Sequence, residues 1–519
     1  MNKLLSGNEA IAQGAYKSGV AVATGYPGTP ATEIMESLSK FNEVYCEWSP
    51  NEKVALEVAF GASFGGKRSL AVMKHVGLNV ASDPLMSISY TGVNGGLVIV
   101  TADDPGMHSS QNEQDNRNYA KFAKIPMFEP SDSQEAKDMT IKAFEVSEKF
   151  DTPVLLRTTT RISHSKSVVE SDEKRKENNK ELKKNSSKYV MIPTNAIKRH
   201  SFVEARLKKL ENLSNKLSVI EYKDKSVGIV TSGVCYGYAK DVFPDASFLK
   251  INMTYPLPFD IIKSFSDKVD KLYVIEELDP FIEEQLKAEG IKLIGKEKLS
   301  VEGELSPDII RNAFLKDNIN EYSDDQLKTP KKRLPKMCNG CSHIPIFQIL
   351  KKLDVVVMGD IGCYTLAALP PLNSMDVQLN MGLSIGSMHG LDKALGKDIS
   401  KKAVAVIGDS TFIHSGITSL INVVYNKGIS TIIILDNRST AMTGFQDHPS
   451  TGFTIDGSST KQIDLANLVK SIGITNIKIV DPYNAKETEK IIKEELAKEE
   501  PSVIITNQPC LLNNKEGTK

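Results

Sequence analysis

Five short runs rich in branched aliphatic residues follow one another in the last third of the chain: VVVMGD, AVAVIGD, STIIILDN, KIVDP and SVIIT. Helical patterns lie between them. Runs this short and this apolar suit strands buried on both faces, and parallel neighbours require a crossover helix for each return. The pattern therefore predicts an open, doubly wound α/β unit over residues 336–519. The same alternation recurs from about residue 5 to 163, with SLAVMK and GLVIVTA as strands and TPVLLRT closing the segment, and again from SVGIVTSGV through KLYVIEEL to about residue 312. Between the first two units, residues 164–224 hold the polar tract ESDEKRKENNKELKKNSSK and one amphipathic pattern, SFVEARLKKLENLSNKL, and read as a charged linker with a helix. A second linker spans 313–335. Three α/β units agree with a length of 519 residues, about three ordinary domains.

Composition narrows the function classes. A formal charge of −1 gives no general attraction to nucleic acid or anionic lipid. No apolar run approaches the ~18 residues of a membrane span, and the N-terminus has no long apolar core of a signal peptide, so the expected location is the cytoplasm. Six cysteines in a chain this long are not a disulfide scaffold. In a reducing compartment a close pair such as Cys338-Asn-Gly-Cys341 points to metal or redox chemistry.

The stretch GDSTFIHSGITSLINVVYNKGISTIIILDN places Gly408-Asp409-Ser410 at one strand tip and Asp436-Asn437 at the next, joined by a crossover helix that stops at Lys-Gly. A carboxylate and an amide oxygen so placed suit a hard cation that bridges phosphates, which describes magnesium. Helix capping is the other use of the same residues. The spacing resembles the diphosphate motif of thiamine-diphosphate enzymes, with Ser410 in place of a glycine and Asp436 in place of an asparagine. Such enzymes need a carboxyl group against the cofactor's aminopyrimidine for acid–base catalysis. SPNEKVALEVAFGASFGGKR offers Glu52 at the head of an Ala/Gly-rich helix, with Glu57 second; a first-turn Glu favoured by the helix dipole is the structural alternative.

Longer blocks make the resemblance specific: LLSGNEAIAQGAYKSGVAVATGYPGTPATEI, EWSPNEKVALEVAFGASFGG, MKHVGLNVASDPLM, DDPGMHSSQNEQDNRNYAKFAKIPMFEPSD, GDIGCYTLAALPPLNSMD and DNRSTAMTGFQDHPSTG. With MTYPLPF and LYVIEELDPFIEEQ in the middle, nearly the whole chain resembles the α subunit of indolepyruvate:ferredoxin oxidoreductase. The resemblance implies a thiamine-diphosphate-binding fold: a pyrimidine-binding domain at 1–163, a transketolase C-terminal-like domain at 225–312 and a diphosphate-binding domain at 336–519.

It also implies residue roles. Asp409, Asn437 and the Ser439 carbonyl would ligate magnesium, and Gly408, Ser410, Gly382, Thr443 and Gly444 would line the diphosphate. Glu52 would act on the pyrimidine and Thr29, in TGYPGTP, on the substrate, unless Thr29 is only a turn residue. His108 and Arg117 are possible substrate-carboxylate partners in a loop otherwise suited to capping and surface roles. Cys338, Cys341, Cys363 and Cys510 would ligate a [4Fe-4S] cluster, zinc being the other metal four thiolates suit. The implied reaction is oxidative decarboxylation of an aryl pyruvate, with acyl transfer to coenzyme A and electrons passed to a ferredoxin-type acceptor. The implied assembly is a homodimer of this chain joined by two small β subunits. The family continues into a ferredoxin-like domain with further cysteines, whereas this sequence ends at CLLNNKEGTK. A non-oxidative decarboxylase that releases an aldehyde is therefore the alternative expectation.

Overall fold

The computed structural model of the chain describes residues 2–170, 175–176, 180–315 and 335–513. It divides into two compact units, Met1–Lys328 and Thr329–Lys519.

The first unit is built on a seven-stranded sheet in the order Met253–Tyr255, Met127–Phe128, Val154–Thr159, Leu97–Asp103, Ser69–Lys74, Val22–Gly25, Tyr45–Trp48. All neighbours are parallel except Met253–Tyr255, which runs antiparallel at the edge. The three central strands are buried along their whole length, as continuous apolar runs require. Register pairs Gly25 with Val72, Lys74 with Ala102, and Asp103 with Thr159, so the central strands end at one level. That carboxyl edge is where an open α/β sheet receives ligands.

The middle segment forms a second sheet, ordered Lys271–Ile275, Asp224–Ser232, Ala246–Ile251, Val219–Glu221, parallel except for the last strand. Its apolar face shares one hydrophobic cluster with the first sheet's helices: Leu56, Leu78 and Leu85 pack in the same core as Val230, Leu249 and Leu272. Expected linker 164–224 contains a 25-residue helix, Pro193–Leu217, twice as long as an average helix. It buries Val203, Arg206, Leu210 and Ser214, a row at three- and four-residue spacing. Arg206 donates to the Ser89 and Asp151 carbonyls and Ser214 to that of Met253, so this helix is tied into the unit and is more than a solvated connector. Of the expected second linker, residues 316–334 lie outside the described ones.

The second unit holds a five-stranded, fully parallel sheet in the order Val356–Met358, Ala403–Gly408, Thr431–Asp436, Ser502–Asn507, Asn476–Val480. Alternate residues feed two cores: Val404, Val406, Ile433, Leu435 and Ile504 on one face, Ala405, Ile407, Ile432, Ile434 and Ile505 on the other. Burial on both faces explains why these segments read as unbroken apolar runs. The fold class is thus α/β with three largely parallel, doubly wound sheets. Among the described residues no helix is long and apolar enough to cross a membrane.

Candidate active site

In the second unit, the strand Ala403–Gly408 ends at Gly408, and Asp409 opens a short helical turn, Asp409–Thr411. Gly408 pairs with Leu435 on the neighbouring strand, which brings Asp409 beside Asp436. Asp409 is 2% exposed. Its Oδ1 accepts the Ser410 amide at 2.8 Å, its Oδ2 accepts the Arg438 amide at 2.8 Å, and His448 Nε2 stands 3.3 Å from Oδ2. Burial opposes its charge, but the His448 imidazole and the Ser410 amide hold the carboxyl below the usual range. Asp436 goes the other way, raised by burial and then by the Asp409 charge. One carboxylate is therefore ionised at the cost of its neighbour, an arrangement that added positive charge relieves.

Asn437 follows at the second strand tip, its Oδ1 accepting the Ser439 amide at 3.1 Å and its Nδ2 lying 3.4 Å from His343 Nε2. Among the described residues the buried Ser439 hydroxyl has no hydrogen-bond partner. Burial lowers the His343 imidazole to about 4, so it is neutral at ordinary pH. Ser410 accepts from the Thr440 hydroxyl at 3.0 Å. Thr443 donates to Gln446 at 2.6 Å, and Gly444 has φ +123°, a left-handed conformation that a side chain resists. The sequence brings Asp409, Ser410, Asn437 and Ser439 together, with Thr443 and Gly444 on the loop that follows.

Gly382 sits at the head of the helix Leu383–Leu395 with φ +87°, and a side chain there would collide with Ser415. Its amide and that of Ser384 donate at 2.8 and 3.0 Å to Asp360, a fully buried carboxylate that the sequence reading did not single out. Gly382 thus supplies backbone shape, its N–H being committed to Asp360. Tyr364, also unforeseen, accepts the Gly408 amide at 2.9 Å and donates to the Ile361 carbonyl at 3.0 Å, fixing the approach to the strand tip.

Four of the six free cysteines lie in this unit. Cys363 is pushed up to about 11 by burial first and then by the neighbouring Cys341, Cys510 and Cys338 thiols. Cys341 is raised by burial and by Cys338 and Cys510. The Cys510 amide donates to the Asn437 carbonyl at 3.0 Å, tying the last cysteine to the strand tip. The four are neighbours, yet among the described residues no three His, Cys, Asp or Glu side chains stand in metal-holding geometry.

In the first unit, Glu52 opens the helix Glu52–Phe64, capped by the Asn51 side chain, which accepts the Val54 amide at 3.0 Å. Glu52 is 6% exposed and packs on Gly77, where a Cβ would come within 2.6 Å of Glu52 Oε1. Glu57 is exposed and paired with Lys53. Of the two acids only Glu52 has an enclosed carboxyl. Thr29 is half-buried on the loop after Val22–Gly25, where Ser109 Oγ reaches its carbonyl at 3.5 Å.

Arg117 and His108, the two possible substrate-carboxylate partners, sit in different surroundings. Arg117 is buried, and all three of its guanidinium nitrogens donate, to Asp115, Glu276 and the carbonyls of Glu277 and Asp279. It is the hub of an ion network that joins the two sheets. His108 is about half exposed, 3.5 Å from Glu304. The residue missed here is Lys74, at the tip of Ser69–Lys74, whose buried ammonium donates to the Ser109 carbonyl at 2.6 Å.

Residues 360–506 match the thiamine pyrophosphate enzyme C-terminal TPP-binding domain, and residues 13–213 match the thiamine-diphosphate-binding N-terminal family of pyruvate flavodoxin/ferredoxin oxidoreductases. Subunit IorA of indolepyruvate oxidoreductase from Archaeoglobus fulgidus is 40% identical, covering 98% of this chain and 86% of its own length. The Pyrococcus horikoshii IorA gives the same three figures. This chain belongs to the IorA family of indolepyruvate oxidoreductase subunits. The family is one of thiamine-diphosphate-dependent oxidoreductases, and these relatives are named as subunits. A solved 2-oxoglutarate:ferredoxin oxidoreductase from Magnetococcus marinus shares the fold at TM-score 0.52 and 18% identity, over 61% of this chain and 65% of its own.

Proposed function

We propose that this chain catalyses thiamine-diphosphate-dependent oxidative decarboxylation of aryl pyruvates, indolepyruvate among them, as the large subunit of a complex. The observation that carries the reading is the buried Asp409 carboxylate beside Asp436, with the Asn437 amide at the adjoining strand tip. These oxygens, with the Ser439 carbonyl, suit magnesium, which takes hard oxygen ligands and bridges phosphates. Lining the diphosphate would fall to Gly408, Ser410, Gly382, Thr443 and Gly444. In this reading residues 1–163 bind the pyrimidine, 336–519 the diphosphate, and 225–312 form the transketolase C-terminal-like domain.

Thiamine diphosphate, when bound, supplies the electron sink for loss of CO₂. Glu52, its carboxyl buried against Gly77, would hold and return a proton for the pyrimidine ring. Thr29 presents a hydroxyl to the 2-oxo acid, and His108 borders the substrate side. Cys338, Cys341, Cys363 and Cys510 are the thiolate set for a [4Fe-4S] cluster, whose presence would give about four irons per chain. Coenzyme A is the acyl acceptor and a ferredoxin-type protein the electron acceptor. A homodimer carrying two smaller β subunits, in the cytoplasm, completes the assembly; that the relatives are named as subunits supports a complex.

The test is anaerobic incubation of the assembled complex with aryl pyruvates and a viologen acceptor, with and without coenzyme A. Acyl-coenzyme A and reduced viologen are the expected products. Full-rate aldehyde release without acceptor or coenzyme A contradicts the oxidative reading.

A further inference from the structure

A 2-oxo acid always brings one carboxylate, and Arg117, the cation expected to meet it, is consumed by Asp115 and Glu276. Lys74 stands where a replacement is needed. It is the last residue of the central strand Ser69–Lys74, at the carboxyl edge of the sheet. Its stem packs along Gly28, where a Cβ would come within 3.0 Å of Lys74 Cβ, so the glycine before Thr29 makes room for it. Three residues on, Gly77 carries the Glu52 carboxyl against it. Lys74 is therefore wedged between the Thr29 loop and the segment that seats Glu52.

An ammonium has three N–H donors, and the Lys74 side chain is only 9% exposed. Among the described residues it makes one hydrogen bond, to the Ser109 carbonyl at 2.6 Å. Asp104 is the acid whose charge acts on it, but its carboxylate is occupied by the Ser109 amide and the Ser110 and Thr160 hydroxyls. His75, adjacent on the chain, is kept uncharged by burial and by Lys74 itself. A buried cation with two N–H groups to give, one neutral neighbour and one engaged carboxylate lacks a full counter-charge. Burial accordingly lowers the ammonium to about 8, with Asp104 opposing.

We propose that Lys74 anchors the carboxylate of the 2-oxo acid substrate, with the Ser109 carbonyl holding the ammonium in position and Thr29 lying beside the same anion. The inference rests on the thiamine-dependent reading above but not on the aryl preference, since the anchored group is common to all 2-oxo acids. It assigns the first unit a positive charge next to its acid, where the second unit offers a carboxylate pair.

The test uses the complete complex loaded with magnesium and thiamine diphosphate, carrying Lys74→Met or Lys74→Arg. Titration calorimetry compares 3-arylpropionate with its primary amide, which differ only in charge, alongside kinetics on aryl, branched aliphatic and dicarboxylic 2-oxo acids. Loss of a charge-assisted bond predicts that Lys74→Met weakens arylpropionate by about 10- to 100-fold, erases its preference over the amide and raises KM accordingly. Lys74→Arg should restore the preference, and cofactor affinity should stay unchanged in both. If Lys74→Met still prefers the carboxylate, or if it loses cofactor binding instead, the assignment is overturned. A wild-type complex that favours a non-aryl 2-oxo acid while Lys74→Met loses carboxylate preference refutes the aryl substrate class and upholds Lys74.

Discussion

Two buried carboxylate clusters, one in each unit, face opposite electrostatic situations. In the first unit Asp103, Asp115, Glu129 and Glu276 surround Arg117 and Arg157, and each of these acids is in direct ion-pair contact with a guanidinium. In the second, Asp409 and Asp436 stand at adjacent strand tips, where the His448 imidazole faces Asp409 and the Arg438 charge acts on Asp436. The first cluster fixes its acids directly on two guanidinium groups, although four acids face two arginines, and joins two sheets. The second meets an imidazole instead and sits at a ligand edge. In the proposed reading, the pair at the ligand edge is the one that takes a cation.

The largest effect that would break this contrast is on folding. Arg117→Ala removes the partner of two buried acids and should destabilise the first unit by about 3–5 kcal/mol in denaturant titrations, while cofactor affinity of the folded fraction is unchanged. A mild stability loss with weakened substrate binding would return Arg117 to the substrate.

The next concerns Glu52, the enclosed acid that opens the helix Glu52–Phe64. Glu52→Gln should retain cofactor but slow exchange of the thiazolium C2 proton by about 10²–10⁴, followed by NMR in D₂O. Glu57→Gln should exchange at the wild-type rate, because Glu57 is solvent-exposed and paired with Lys53. The reverse pattern would move the role to Glu57.

The smallest is a pH effect at Glu277, beside that arginine-bound cluster. Glu277, raised to about 7 by burial with the Leu305 amide and Arg157 opposing, binds a proton more tightly in the folded state than unfolded. Its contribution is present below the unfolded value and is lost as pH rises through about 7. Glu277→Gln should therefore match wild type near pH 4.5 and be more stable by about 1–3 kcal/mol at pH 8, in thermal or urea unfolding. Equal pH slopes would mean that Glu277 is ionised throughout.

How much of this was legible depends on how far apart in sequence the interacting residues lie. Asp409 and Asn437 could be read because a strand, a crossover helix and a strand fix their spacing, and the buried strands betray themselves as apolar runs. Glu52 was legible through its Ser-Pro-Asn cap. Arg117 was not, since Glu276 and Glu277 come from another sheet and only the fold brings them together. The edge strand Met253–Tyr255 is three residues long and pairs with Met127–Phe128, too short and too distant for a periodicity to mark it. Lys74 ended a run read simply as a strand, and its meaning comes from Gly28 and Ser109 on two other loops. His448 stood within DNRSTAMTGFQDHPSTG but had no local signal that it would face Asp409.

The central claim is that the Asp409–Asn437 edge holds thiamine diphosphate through magnesium. Titration calorimetry of the cofactor with and without magnesium, on wild type and Asp409→Ala with matched unfolding midpoints, tests it most directly. The account predicts tight, magnesium-dependent binding in wild type and none in Asp409→Ala, whose fold is preserved or stabilised by relief of the carboxylate pair. Near-normal, magnesium-dependent affinity in Asp409→Ala would contradict it.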